Sequence, residues 1–313
     1  MSEQLPLSHP FAAIPPEIET LFHDLLKYLV DPAGNYYKTD IQQRLIDIEK
    51  HNVVAIASGH RYERKGYMYD PLLQSFVQGA GGQLSTWDKE KNTLTPVILR
   101  GITNRSEMAA CKAACRDFYY MDTGYFGNGK CKLYHRITKN DVQNFGPIID
   151  RPMDRLSKTG FQPKKFTRGS KILLAPPSQK LLNNYDIDLK TWMEETIAEI
   201  KLHSDREIVI RLKQNRSTRV NNNTIEMALS KDIHCLVTFG SIAATESVLF
   251  GKPAITLGPN AAASVCSKSI SEIESPFIPT LEQVRQWAAH LAYCQFTELE
   301  MKNGTAWRIL NDH

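Results

Sequence analysis

The stretch LVTFGSIAATESVLFGKPAITLG, residues 236–258, reads as a buried strand, a glycine-serine turn, an amphipathic helix with a glutamate in its second turn, and a second buried strand opening at Gly-Lys-Pro. In an open parallel sheet, ligands bind beyond the carboxyl ends of the strands, where helix starts present unpaired N–H groups to anions. Gly240, Ser241 and Ile242 occupy such a junction. The glycine permits close backbone approach, the Ser241 hydroxyl can cap the helix or meet a phosphate, and Glu246 follows at a distance suited to a ribose hydroxyl. Ser241 as a simple helix cap and Glu246 as a surface residue account for the same pattern.

Working outward, apolar runs bounded by turn residues recur at 52–59, 95–101, 117–127, 171–177, 206–213, 234–241 and 252–259. Runs of this length rich in Val, Ile and Leu fit strands buried on both faces of a parallel sheet. Helical patterns lie between several of them: DIQQRLIDIEKH, RSEMAACKAACR, DLKTWMEETIAEIKLH and SIAATESVLFG. Strand alternating with helix predicts an α/β fold, and the series is broken near 150–170. The expected division is therefore a first α/β domain over 1–165 and a second over 166–313. After Pro276 the chain turns helical, with no strand signal.

A chain of 313 residues accommodates two such domains, and 42% hydrophobic with 23% charged residues is a globular composition. No apolar run reaches the ~18 residues of a membrane span, and the N-terminus lacks a signal-peptide pattern, so a cytoplasmic protein without membrane association is expected. The six cysteines form no CxxC pair and read as reduced core thiols, a metal site being the weaker alternative, and no metal ligand set is assigned.

The net charge of +4 is unevenly spread. Residues 151–219 carry fifteen cations against eight acids, and Arg155–Lys171 alone holds six cations and no acid. Such a segment suits phosphates of a nucleotide or a nucleic acid, and equally a solvated linker. Lys164, Lys165 and Arg168 are its nucleic-acid candidates. A second set, His60, Arg61, Arg64 and Lys65, is interleaved with tyrosines in SGHRYERKGYMYD, a mixture able to combine phosphate contact with base stacking.

Two further segments carry candidate chemistry. In REIVIRLKQNRSTR, Arg211 and Lys213 leave a strand end on one side, because their spacing is two, and together can neutralise a pyrophosphate. An edge strand with solvated charges is the alternative. In FYYMDTGYFGNGKCKLYHRI, Asp122 stands at a strand end and can act as a general base, or can be a turn-forming aspartate bonded to its own backbone. His135 and Arg136 follow it as possible phosphate partners, or as the surface of a hairpin. GAGGQLS matches neither GxGxxG nor GxxxxGK[ST], which removes the main support for nicotinamide or ATP binding.

The Gly240 turn, Glu246 and ATESVLFGKPAI together resemble the C-terminal half of GT-B glycosyltransferases, over roughly residues 170–310. The resemblance implies two Rossmann-like domains whose parallel sheets face a central cleft, with closing C-terminal helices. It also implies a nucleotide-sugar on Gly240, Ser241 and Ile242, with Glu246 on the ribose and Arg211 or Lys213 on the diphosphate. YYMDTGYF and CQFTELEMKNGTAWRIL resemble bacteriophage-encoded proteins found beside DNA-modification enzymes. That resemblance implies a DNA glycosyltransferase, a monomer in the host cytoplasm, moving glucose or arabinose from a UDP-sugar to the hydroxymethyl group of 5-hydroxymethylcytosine in double-stranded DNA. SGHRYERKGY departs from the usual glycine-rich acceptor loop, so the acceptor assignment rests on the second resemblance alone. The implied reaction is inverting transfer with Asp122 as base. A divalent metal is optional, since no DxD motif is present. Two alternatives stand beside it: a GT-B enzyme acting on a capsule or cell-surface glycan, and a non-catalytic nucleotide- or DNA-binding protein.

Overall fold

Each of the seven apolar runs contains a strand, and the strands assort into two sheets. The computed structural model describes residues 54–56, 70–102, 104–127, 133–213 and 224–311. The first sheet contains β1 (Val54–Ile56), β2 (Gln83–Ser85), β3 (Val97–Arg100), β4 (Phe118–Thr123), β5 (His135–Lys139) and β10 (Gln295–Phe296) in the order β10-β5-β4-β3-β1-β2. Strands β1 to β4 pair in parallel, whereas β5 and β10 run antiparallel at one edge. The second sheet is wholly parallel, in the order β7-β6-β8-β9, with β6 (Lys171–Leu174), β7 (Ile208–Ile210), β8 (Ile233–Thr238) and β9 (Ala254–Thr256). The molecule is thus mixed α/β with parallel sheets.

Side chains alternate across each sheet with the period of two that strand geometry imposes. On β4, Tyr119 and Met121 face one core with Phe76 and Trp307, while Phe118 and Tyr120 face another with Met108 and Cys111. The helices covering these faces are α1 (Pro71–Gly79) on the first and α3 (Arg105–Ala113) on the second, with the short α2 (Trp87–Glu90) between them in sequence. Helix α1 has a legible start: Asp70 accepts from the Leu72 N–H at 2.9 Å, and proline follows it.

Beyond the first sheet come α4 (Asp154–Lys158), α5 (Gln179–Leu182), α6 (Leu189–His203), α7 (Ile225–Leu229), α8 (Ala243–Leu249) and α9 (Leu281–Ala292). Helices α8 and α9 pack on one face of the second sheet around Trp287, whose Nε1 donates to the Ala261 carbonyl at 2.7 Å. Helix α6 covers the opposite face.

The C-terminal segment departs from the expected division at 165/166. Strand β10 joins the first sheet, and α10 (Glu298–Lys302) and α11 (Thr305–Asn311) pack on its α1 face through Met301, Ala306 and Trp307. A two-residue strand carries no periodicity of its own and exists only because β5 offers an open edge. Arg155 fastens this return. Its guanidinium pairs with Glu300 at 2.5 Å, donates to the carbonyls of Ala292 and Gln295, and lies against the rings of Tyr293 and Phe296. Glu300 also closes the capping box of α10 with Thr297.

Strand β7 is likewise not buried on both faces. It is an edge strand, and Ile210 is 44% exposed.

Candidate functional site

The carboxyl ends of the two sheets meet. Around the Gly240 turn the geometry follows from one aromatic: Phe239, at the end of β8, stacks edge-on to Tyr185 and Trp192. Its ring lies so close to Gly258 that a Cβ there would stand 2.5 Å from it. Gly258 is therefore required by packing. Gly240 has looser surroundings, a Cβ there meeting the Pro259 carbonyl oxygen at 3.1 Å.

The carbonyls of this turn are engaged. Gly240 O accepts from Gln143 Nε2 at 2.8 Å, and Ser241 O accepts from Asn260 Nδ2 at 2.9 Å. The Ser241 hydroxyl accepts from the Ala243 N–H at 3.3 Å, a local capping contact. Among the described residues the N–H groups of Ser241 and Ile242 donate to no backbone carbonyl. Glu246 is partly exposed in the first turn of α8, since the helix starts at Ala243 and not at Ser241. The turn thus presents unpaired donors to whatever lies above it.

Gln143 belongs to the loop after β5, so the first contact with the turn comes from the other sheet. Two more links join the carboxyl ends. Arg105, at the start of α3, donates to the Asn183 carbonyl, and Lys213 acts electrostatically on Asp122. Arg211 continues the β7 ladder, its N–H donating to Leu174 O at 2.9 Å, and Lys213 is exposed two residues further. Two candidates read from distant stretches of sequence, Asp122 and Lys213, are thereby brought together.

The surroundings of Asp122 alter its chemistry. Oδ1 accepts from the Thr123 N–H at 2.8 Å, and Oδ2 accepts from the Tyr120 hydroxyl at 3.0 Å and from Arg136 Nη2 at 3.1 Å. Burial opposes ionisation of this carboxyl, but Arg136, these hydrogen bonds and Lys213 outweigh it and hold the pKa below the ordinary aspartate value. Both oxygens carry donors, which is an unfavourable state for a proton acceptor. Arg136 is itself buried between the rings of Tyr120 and Tyr125 and donates to Thr123 O. It is committed to the fold and to Asp122, and does not act as the free phosphate partner that its position in the sequence suggested.

The basic segment lies elsewhere. Thr167 N–H donates to the Gly251 carbonyl, Gly169 N–H donates to Ile233 O at the start of β8, and Lys164 Nζ stands 3.8 Å above the Phe250 ring. Lys164, Lys165 and Arg168 therefore belong to the amino end of the second sheet. The six residues of β8 separate that end from Gly240 by roughly 17–20 Å. Lys252 of the GKP element is at the same end, buried, with Nζ donating to Ile233 O at 3.0 Å. It serves the fold and not the Gly240 turn. His60, Arg61, Arg64 and Lys65 lie outside the described residues.

Among the described residues no helix is long and apolar enough to cross a membrane, and no group of three or more His, Cys, Asp or Glu side chains is arranged to hold a metal ion.

No protein-family model matches this chain, and no curated protein matches it significantly. Two solved structures from Thermosulfurimonas dismutans are similar to it. One is the KpsC beta Kdo 2,4 transferase, at 18% identity and a TM-score of 0.45. The other is the KpsC beta Kdo 2,7 transferase, at 12% identity and a TM-score of 0.46. In each case the similarity covers 77% of this chain and 90% of the other.

Proposed function

We propose that this protein is a glycosyltransferase that holds a nucleotide-sugar where the carboxyl ends of its two sheets meet, in a GT-B arrangement. The observation that carries this reading is the convergence of Asp122 and Lys213. A carboxylate from one sheet stands within electrostatic reach of a cation that follows the edge strand of the other, and the Gly240 turn, at the same end of the second sheet, has N–H groups that donate to no backbone carbonyl. In that space Arg211, Lys213 and the amides of Ser241 and Ile242 stabilise the negative charge that develops on the departing diphosphate. Glu246 receives the ribose hydroxyls.

Asp122 is not favoured as the base, since both its oxygens are already hydrogen-bonded. As a permanently ionised group it fits a different task, stabilising positive charge at the anomeric carbon as the bond to the leaving group stretches. No step requires a metal ion, because cations of the chain stand at the leaving group.

For the acceptor, the position of Lys164, Lys165 and Arg168 at the far end of the second sheet favours a glycan hydroxyl over 5-hydroxymethylcytosine in duplex DNA. A track of cations leading to the reaction centre is what a duplex requires, and this segment is not one.

The test is to incubate the purified chain with a panel of nucleotide-sugars, led by UDP-glucose and UDP-arabinose. Acceptors are supplied separately as duplex DNA containing 5-hydroxymethylcytosine and as capsule-type oligosaccharides, and product masses are read. A sugar mass added to an oligosaccharide supports the reading in full. A sugar added to the nucleoside restores the DNA acceptor. Failure of every nucleotide-sugar both to bind and to release its nucleotide removes glycosyl transfer altogether.

A further inference from the structure

Strand register places three polar side chains in one row across the carboxyl end of the first sheet. Asp122 on β4 pairs with Arg136 on β5, and Arg136 pairs with Gln295 on β10. Residues directly opposite one another share a face of the sheet, so the row lies on the side of Tyr120, away from the core that takes up Ile137 and Phe296.

Gln295 is wholly buried, and a buried primary amide has to find partners for both its oxygen and its nitrogen. It finds them in the main chain of a single loop. Oε1 accepts from the N–H groups of Tyr125 at 2.7 Å and Phe126 at 3.2 Å, and Nε2 donates to the Phe126 carbonyl at 3.1 Å. This is the segment into which β4 runs out just beyond Asp122. Gln295 is itself fixed from the other side, its carbonyl accepting from Arg155 Nη2 at 2.8 Å.

The grip reaches Asp122 through Tyr125. The buried Tyr125 ring has the Arg136 guanidinium 5.7 Å from its centroid, and the Tyr120 ring faces the same guanidinium at 5.9 Å. Confined in this way, Arg136 donates to Asp122 Oδ2 at 3.1 Å and to the Thr123 carbonyl at 2.9 Å. Asp122 in turn is coupled electrostatically to Lys213 of the second half. Each step from Gln295 to Lys213 is therefore a contact or a coupling between named groups.

We propose that Gln295 is a positioning residue for the reaction: it fixes the main chain of Tyr125 and Phe126, and the Tyr125 ring then keeps Arg136 on Asp122. The inference rests on the glycosyl-transfer reading above, in which Asp122 stabilises positive charge at the anomeric carbon. It gives the C-terminal return a task besides closing the edge of the sheet. Helix α9, which packs on the second sheet, ends at Ala292, and β10 opens with Gln295. A short piece of chain thus ties the second half to the carboxylate of the first.

The test reads Asp122 directly, by carboxyl-carbon NMR titration of the full chain without any ligand. Gln295→Met has nearly the native size and none of the three hydrogen bonds, whereas Tyr125→Leu keeps those bonds and removes the ring. In both, Asp122 should titrate about 1 pH unit above the wild type, because Arg136 is no longer pressed onto the carboxylate. Gln295→Asn, which retracts the amide by one methylene, is the milder variant should Gln295→Met not fold, and the same upward shift is expected of it. UDP release from UDP-glucose should fall about 10- to 100-fold in kcat, with KM little changed. A merely structural Gln295 lowers the melting temperature and leaves Asp122 of the folded protein where it was. An Asp122 titration within about 0.3 pH unit of the wild type in a folded Gln295 variant overturns the proposal, and so does UDP release within about threefold. Absence of both binding and release by the wild-type chain with every nucleotide-sugar overturns the glycosyltransferase reading instead. The two failures are distinguishable, since the Asp122 titration needs no ligand and reports the coupling by itself.

Discussion

Gln143, in the loop that follows the last long strand of the first sheet, donates its side-chain amide to the carbonyl of Gly240 in the second sheet, at 2.8 Å and out of solvent. The main-chain turn proposed to receive the diphosphate is thus held by a residue from the other half of the fold. Replacing Gln143 with Leu leaves the Gly240 carbonyl unsatisfied and should cost about 1–3 kcal/mol. Urea denaturation checks the stability, and UDP titration of the same variant should show weaker binding because the turn loses its support.

The two glycines at this end of the sheet should separate structure from function. Gly258→Ala drives a methyl group to 2.5 Å from the Phe239 ring and should destabilise by about 1–3 kcal/mol. Gly240→Ala meets its nearest atom at 3.1 Å, so its stability should change by less than about 1 kcal/mol while its affinity for UDP falls. Thermal melts and UDP titrations on the two variants test this, and equal losses of stability would remove the distinction.

Asp122 gives a pH prediction with a definite sign. Its folded pKa is held below the unfolded value of about 3.9, so its contribution to stability is complete above that pH and disappears as the pH falls through the folded value. Urea midpoints followed from pH 7 down to pH 3 should drop less steeply in Asp122→Asn than in the wild type. In the same comparison Arg136→Met, which leaves Asp122 without its buried cation, should be the more destabilised variant at pH 7, by about 3–5 kcal/mol.

Arg155 joins the linker helix to the returning C-terminus through Glu300 and two main-chain carbonyls. Arg155→Met should cost about 3–5 kcal/mol, a large share of the ~5–15 kcal/mol that stabilises a typical domain. Hydrogen exchange should rise first across residues 295–311, since their attachment to the first sheet depends on this side chain. Uniform loss of protection over the whole chain would show that the return is not an independent unit.

The last prediction concerns the basic segment. Changing Lys164, Lys165 and Arg168 together to Gln should leave UDP binding unchanged, because these residues stand at the opposite end of β8 from Gly240. If duplex DNA binds at all, its affinity and its salt dependence should hardly move, since the segment is not proposed as a phosphate track. A marked fall in the salt slope would return the DNA acceptor to first place.

The alternation of apolar runs and helical patterns was enough to place seven strands and three of the helices, because a strand buried on both faces has to be apolar throughout and must be bounded by turn residues. The glycine-serine turn at residues 240–241 was legible for the same local reason, whereas the Asp-Pro start of α1 went unread. The edge strands of the first sheet, β2 and β10, were not legible, because an edge strand borrows its partner from elsewhere in the chain and leaves little periodic trace. Nor could the sequence assign work to its charges. Arg155, Lys252 and Arg136 are indistinguishable by type from Lys213, yet the first three are buried in hydrogen bonds to the fold while Lys213 is exposed beyond a strand end and acts electrostatically on Asp122. Whether a charged side chain is free to meet a ligand depends on which distant groups surround it. That is decided by the pairing of the sheets and the return of the C-terminus, and it is why the juxtaposition of Asp122 and Lys213 emerged only in three dimensions.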